Sequence, residues 1–222
     1  MGVWDRLAGE YDEHLPFADI SEEILELVFR AVRPMPGDVA VDMGAGTGFL
    51  TVPLARQLAH VYAVDASAEM LKHLRERLRS DPLRVEPVAQ DLRRFQPNQP
   101  VDVVVSNYAL HHLRHTEKRA QMQRCFSWMS RGGRIAISDL SRPLTLRPGE
   151  NRLLLGHVRR LTRQGRVGYS KLSKHMVRWA IGRGEYPATL DFWKSALMDA
   201  GFQRVDGSPV GVGSCVVWGS SS

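Results

Sequence analysis

Val41-Asp42-Met43-Gly44-Ala45-Gly46-Thr47-Gly48-Phe49-Leu50-Thr51 joins two kinds of periodicity. Before it, Val39–Met43 is a short apolar run of the kind that forms a buried strand. Behind it, Val52, Leu54, Ala55, Leu58 and Ala59 recur at helical spacing, which predicts a helix over 48–59. Between strand and helix lie three glycines at alternate positions, preceded by one carboxylate. Glycine permits a positive φ and lets a ligand approach the backbone closely. A helix N-terminus just behind such a turn adds unpaired N–H groups and the favourable end of the helix dipole. The stretch reads as a nucleotide-type cofactor turn.

Its spacing narrows the ligand. A dinucleotide fingerprint runs G-x-G-x-x-G and seats a pyrophosphate on the helix. Here the pattern is Asp-x-Gly-x-Gly-x-Gly, one residue shorter between the last two glycines. The Asp42 carboxylate is expected to point toward the turn, where it repels a pyrophosphate and attracts an ammonium or sulfonium group. A phosphate loop needs Gly-Lys-Ser/Thr, and the turn has no lysine. A cationic, amino-acid-bearing nucleoside such as S-adenosylmethionine fits better.

The chain of 222 residues suits one domain. Its two cysteines, Cys125 in a helical pattern and Cys215 in a strand pattern, provide no disulfide framework or metal cluster and are expected to be core thiols. No apolar run approaches the length of a membrane span and no signal-peptide core opens the chain, so a cytoplasmic setting is expected. The formal charge of +6 is unevenly placed. Residues 142–184 hold eleven Lys and Arg against one acid, Glu150, so that this segment carries +10 and the remainder −4.

Around the glycine turn the chain alternates apolar runs and amphipathic segments. Strands are expected at 39–43, 61–65, 84–88, 101–106 and 133–138. Helices are expected at 48–59, 68–79 (Ser67 as N-cap, Met70 and Leu71 inward) and 116–130, the last closed by Gly132-Gly133. Asp19 and Glu22 form a candidate capping box before an earlier helix. A helix from Thr189 to Ala200 and two further strands, near 203–209 and 214–218, complete the pattern. Short strands separated by helices imply right-handed crossovers and a parallel sheet covered on both faces, with an antiparallel strand from the terminal hairpin. One domain over 1–222 follows, with lead-in helices in 1–33 and a basic helical insert at 142–188.

In such sheets ligands bind beyond the carboxyl ends of the strands. Asp65 ends the second strand, where a carboxylate can accept both ribose hydroxyls. Asp91, in Gln90-Asp91-Leu92, follows the third and is a candidate for the adenine amino group, with Leu92 flanking the ring. Asn107, after the fourth, can offer its backbone carbonyl to a cationic ligand end.

These motifs in this order, together with Val101–Asn107, Ala109-Leu110-His111-His112-Leu113 and Gly132-Gly133-Arg134-Ile135, resemble the class I S-adenosylmethionine-dependent methyltransferases. The subgroup most resembled holds small-molecule enzymes similar to those of ubiquinone and menaquinone biosynthesis, whose lead-in helix is similar to Trp4–Asp12 here. The resemblance covers about residues 1–141 and 189–218. It implies an α/β, Rossmann-like, doubly wound sheet of seven strands with one antiparallel strand, S-adenosylmethionine as methyl donor and S-adenosylhomocysteine as product. The donor-binding positions it implies are Asp42, Gly44, Ala45, Gly46, Thr47, Gly48, Asp65, Ala66, Met70, Gln90, Asp91, Leu92, Asn107 and Tyr108.

Methyl transfer from a sulfonium asks the protein to align two substrates and exclude water. Where the acceptor must lose a proton, His111 and His112, just past the fourth strand, are the candidate bases. Tyr11, His14, Tyr108 and Asp139 are further candidates. In the insert, apolar positions Leu153, Leu154, Leu155, Val158 and Leu161, then Leu172, Met176, Val177 and Trp179, predict two amphipathic helices broken around Gly165–Gly168. They would cover the acceptor, expected to be a small molecule, an anionic one being one reading of the basic face. Three competing functions remain open on sequence alone: an RNA-binding protein or RNA methyltransferase using the basic insert, a nicotinamide-dependent oxidoreductase, and a cofactor-binding fold member without methyl transfer.

Overall fold

The computed structural model describes residues 18–79, 83–141, 185–211 and 213–221. The elements in chain order are α1 (Ala18–Val32), β1 (Val39–Met43), α2 (Thr51–Ala55), β2 (His60–Asp65), α3 (Ala68–Leu78) and β3 (Val85–Ala89). They continue with β4 (Val101–Asn107), a 3-10 turn at Leu110–His112, α4 (His115–Trp128), β5 (Met129–Leu140), α5 (Leu190–Ala200), β6 (Gln203–Val210) and β7 (Ser214–Ser220). The strands form one sheet in the order β3-β2-β1-β4-β5-β7-β6. All neighbours from β3 to β5 pair in parallel, and β7 runs antiparallel between β5 and β6. The doubly wound fold with a single antiparallel strand is as expected.

Alternation along the strands sorts the core into two faces. Val41 and Met43 of β1, Val104 of β4 and Ile135 and Ile137 of β5 meet Met122, Cys125 and Trp128 of α4 and Trp193, Ala196 and Leu197 of α5. On the other face Ala40, Val61, Val103 and Val105 meet Ile24, Val28 and Val32 of α1 and Leu54 and Ala55 of α2. Leu71 and Leu74 of α3 pack on Ala63 and Ala45 beside them. Both cysteines are buried on the sheet, and burial pushes each thiol up to about 12, as expected of core groups.

The structure corrects several boundaries. The helix expected over 48–59 is regular only from Thr51 to Ala55. Pro53 has no N–H to return to the preceding turn, and residues 46–50 are taken up by the turn itself. The helix expected over 116–130 is α4, which begins at His115, with Glu117 accepting the Arg114 N–H at 2.8 Å. It ends at Trp128, because Met129 turns to extended geometry and opens a twelve-residue β5. Gly132-Gly133 therefore lies inside a strand instead of closing a helix. Asp19 lies within α1 and does not precede it. The insert at 142–184 and the lead-in segment before α1, with Trp4–Asp12, Tyr11 and His14, lie outside the described residues.

Sheet order reverses between β1 and β4, whose first connections run to opposite edges of the sheet. A crevice opens at such a switch, past the carboxyl ends of the strands. The glycine turn follows β1 at this point and the His111 turn follows β4.

Candidate functional site

The glycine turn is held from the β2 side. Gly44 and Ala45 donate to the Val64 carbonyl at 2.8 and 3.0 Å, and Gly48 donates to the Ala45 carbonyl at 2.9 Å. Gly46 donates to Asp65 Oδ2 at 2.9 Å, while Asp65 Oδ1 accepts the Ser67 N–H at 2.8 Å. Asp65 thus ties the end of β2 to the turn and to the start of α3, whatever else it binds. Gly44 has φ +75, and a Cβ there would collide with Cβ of Ala109. Only a glycine lets the turn after β1 rest against the segment leading to His111. Gly46 has φ +53 and faces open space where a side chain would stand.

Asp42 does not reach into the turn as expected. It is buried at 1% exposure, and its Oδ2 accepts the Thr51 hydroxyl at 2.6 Å. Burial pushes its carboxyl up to about 7; the Thr51 hydroxyl pulls it back and the Asp65 charge pushes it further up. Thr51, unmarked by any sequence pattern, is therefore the side chain that holds Asp42 beneath the turn. Thr47 is buried, and its carbonyl accepts from Arg77 at 3.0 Å.

Ala66 is exposed beyond Asp65, and Met70 is buried, its N–H given to the Ser67 hydroxyl that caps α3. Gln90 is exposed and donates its N–H to the Asp65 carbonyl at 2.9 Å, which sets the end of β3 beside the end of β2. Leu92 is half-buried against the α4 face. Asp91 carries a partner that sequence reasoning missed. Arg93 binds its carboxylate at 2.5–3.2 Å and also reaches Glu117 at 2.7 Å, and this guanidinium holds the Asp91 carboxyl below its ordinary value.

At the end of β4, Asn107 Oδ1 is buried and has no hydrogen-bond partner among the described residues. The Ser138 hydroxyl, beside it across the β4–β5 register, is buried without a partner too. Orphaned acceptors of this kind cost about 1–3 kcal/mol unless a ligand or water meets them. Tyr108 takes a positive φ of 47°, donates its N–H to the Ser138 carbonyl and shares a hydrogen bond with Ser214 at 2.9 Å.

His111 and Asp139 form a buried pair where β4 and β5 end. His111 Nδ1 and Asp139 Oδ1 are 2.6 Å apart, with side-chain exposures of 8% and 1%. Burial by itself pushes the imidazole down, but the Asp139 charge and hydrogen bond, aided by Glu185, outweigh it and raise its pKa above the usual value. Lys118 opposes that rise. A carboxylate on Nδ1 fixes the tautomer and turns Nε2 into the acceptor of a proton. His112 is half-buried, its ring centroid 4.1 Å from that of His111.

Lys118 was also missed. It is fully buried on α4, in register with Met122 and Cys125, and donates to the carbonyls of Leu113 and of Tyr186, the latter at 2.6 Å. The signal was a lysine at a core position of an amphipathic helix. Among the described residues no cluster of metal-ligating side chains is present, and no helix is long and apolar enough to cross a membrane.

The donor side passes a chemical fit to an adenosyl sulfonium ligand. A glycine cradle open at Gly46, an unpartnered acceptor at Asn107 and carboxylates at the ends of β2 and β3 match a ligand with N–H donors, hydroxyls and positive charge.

Comparison with known proteins agrees with the architecture. Residues 40–133 match the family described as a methyltransferase domain. An uncharacterized methyltransferase of Geobacillus sp. strain WCH70 is 32% identical over 146 residues, 63% of this chain, and one of Bacillus cereus strain 03BB102 is 32% identical over 146 residues. The matched region spans just under two thirds, 66%, of each relative's length. Among solved structures, magnesium protoporphyrin IX methyltransferase from Synechocystis PCC 6803 with bound S-adenosylhomocysteine superimposes with a TM-score of 0.64 at 20% identity, covering 94% of this chain and 84% of its own. The complex of DhpI with S-adenosylhomocysteine gives a TM-score of 0.68 at 20% identity, covering 97% and 92%. Residues 40–133 thus form a methyltransferase domain, set in a fold shared with methyltransferase structures that hold S-adenosylhomocysteine.

Proposed function

We propose that the protein transfers a methyl group from S-adenosylmethionine to a small anionic acceptor, with His111 as the base. The observation that carries this is the apposition of the two turns. Gly44 packs against Ala109, two residues before a histidine whose Nδ1 is held by a buried carboxylate. When bound, S-adenosylmethionine supplies a methyl group on a sulfonium, and S-adenosylhomocysteine is the thioether left after transfer.

The residues of the chain supply the remainder. Residues Gly44–Gly48 cradle the donor, with Ala45 and Thr47 contributing backbone only. Asp65 and Ala66 serve the ribose, Met70, Gln90, Asp91 and Leu92 border the adenine, and Asn107 and Tyr108 serve the amino-acid end. Asp91 binds there while it keeps Arg93. His111 Nε2 takes the acceptor proton as the new bond to carbon forms, and Asp139 stabilises the imidazolium that results. His112, in ring contact with His111, is the alternative base, and Tyr11, outside the described residues, is a further candidate. The +10 charge of residues 142–184 supports the anionic character of the acceptor.

The test is incubation with S-adenosylmethionine and a panel of small carboxylate, phosphate and phenolic acceptors, with release of S-adenosylhomocysteine followed by mass spectrometry. Product that accumulates only with a small acceptor is the expected result. Release with RNA alone, or with no acceptor in the panel, contradicts the proposal.

A further inference from the structure

Lys118 stands where a leucine or methionine would serve the core at no electrostatic cost. It is in the first turn of α4, where the helix dipole disfavours a cation, and it is fully buried. Burial pulls its ammonium down to about 8, although Asp139 and Glu117 attract the charge. Its Nζ lies 5.8 Å from the centre of the Trp193 ring on α5.

The bonds of this ammonium join two segments that flank His111. One runs to the carbonyl of Leu113, which ends the 3-10 turn bearing His111. The other runs to the carbonyl of Tyr186, in the short extended segment between the basic insert and α5. That segment is fastened at two more points. Tyr186 donates its N–H to the His111 carbonyl at 2.6 Å, and Ala188 donates to the Leu140 carbonyl at 3.4 Å. The chain leaving the insert is thus stapled between the backbone of the base and the strand end carrying its carboxylate.

We propose that Lys118 is a positioning residue of the acceptor site: its two carbonyl bonds hold the exit of the insert against the His111 turn, with its ammonium among the charged groups around that histidine. The charged groups acting on that imidazole are Asp139 from β5, Glu185 from the exit segment and Lys118 from α4, with the His112 ring tilted beside it. Asp139 and Glu185 favour imidazolium, and Lys118 opposes them. A base must begin neutral, and the buried ammonium limits the rise that Asp139 and Glu185 impose on His111 while Asp139 retains the orienting hydrogen bond. The exit segment and the base then report on one another: displacing Tyr186 removes a partner of Lys118 and alters the surroundings of His111 together. The consequence for turnover rests on His111 being the base; the coupling itself does not.

The test uses the full chain with Lys118→Met and Lys118→Arg, read by NMR titration of the His111 imidazole and by amide hydrogen exchange. In Lys118→Met the His111 midpoint rises by about 0.5–1 pH unit, and the Tyr186 amide exchanges at least tenfold faster. In Lys118→Arg, which keeps the charge, the midpoint stays near that of the wild type; this variant also serves if the methionine variant does not fold. An unchanged midpoint in Lys118→Met, unchanged protection of the Tyr186 amide, or a midpoint in Lys118→Arg displaced as far as expected for methionine overturns the proposal. Wild-type turnover without an acidic limb, alongside the expected NMR shifts, faults the base assignment and leaves the coupling intact.

Discussion

Asp42 shows how a buried carboxyl that anchors a binding turn can be poorly placed for stability. Its carboxyl titrates near 7 in the fold and near 3.8 when the chain is unfolded. A raised folded pKa means that the native state holds the proton more tightly, so stability falls as pH rises between those values. The loss reaches at most about 4 kcal/mol, at one pKa unit per 1.36 kcal/mol. Asp42→Asn therefore unfolds at a higher temperature than the wild type at pH 8, and the gap closes toward pH 4, as scanning calorimetry will show. The same variant binds S-adenosylmethionine about tenfold more weakly, the usual trade between stability and a charged site. His111 has the opposite pH logic. Its pKa is raised, so the neutral base and the activity that depends on it grow in as pH rises above the ordinary histidine range. His111→Asn lowers kcat by about 100-fold and removes this limb, whereas Asp139→Asn shifts it toward lower pH.

Among the elements, α5 and the terminal hairpin close the α4 face of the sheet. Trp193 of α5 is fully buried, and Trp193→Ala costs about 3–5 kcal/mol, to be measured by denaturant unfolding. Strand and helix order were legible because their signals are local: the alternating Val-rich runs of β1, β2 and β4, the Ser67 cap of α3, and the Thr189 cap and Gly201 stop of α5. Boundaries failed where a single group overrode periodicity, at Pro53 in α2 and at Met129, where β5 begins early. In the site, the glycine turn and the carboxylates at strand ends stand out because their chemistry is unusual at those positions. Their partners do not. Thr51 lies nine residues from Asp42, Asp139 twenty-eight from His111, and Tyr186 sixty-eight from Lys118. No local pattern encodes such meetings, which arise only when the strands and helices assemble around one another.

For the molecule as a whole, charge separates the two halves of the function. The sheet and its helices carry the donor site in a segment of net negative charge, while residues 142–184 concentrate +10. An anionic acceptor drawn by that charge shows a KM that rises with ionic strength, because exposed charges are screened within a Debye length of about 8 Å at physiological salt. Donor affinity, set by buried groups at the glycine turn, changes little over the same range. Steady-state kinetics between 50 and 500 mM salt, roughly a threefold change in Debye length, separates the two. The donor site itself is tested most directly by isothermal titration calorimetry of the wild-type chain with S-adenosylmethionine, S-adenosylhomocysteine and a nicotinamide dinucleotide. The two adenosyl ligands are expected to bind at one site per chain while the dinucleotide gives no heat; dinucleotide binding, or silence toward both adenosyl ligands, would contradict the account.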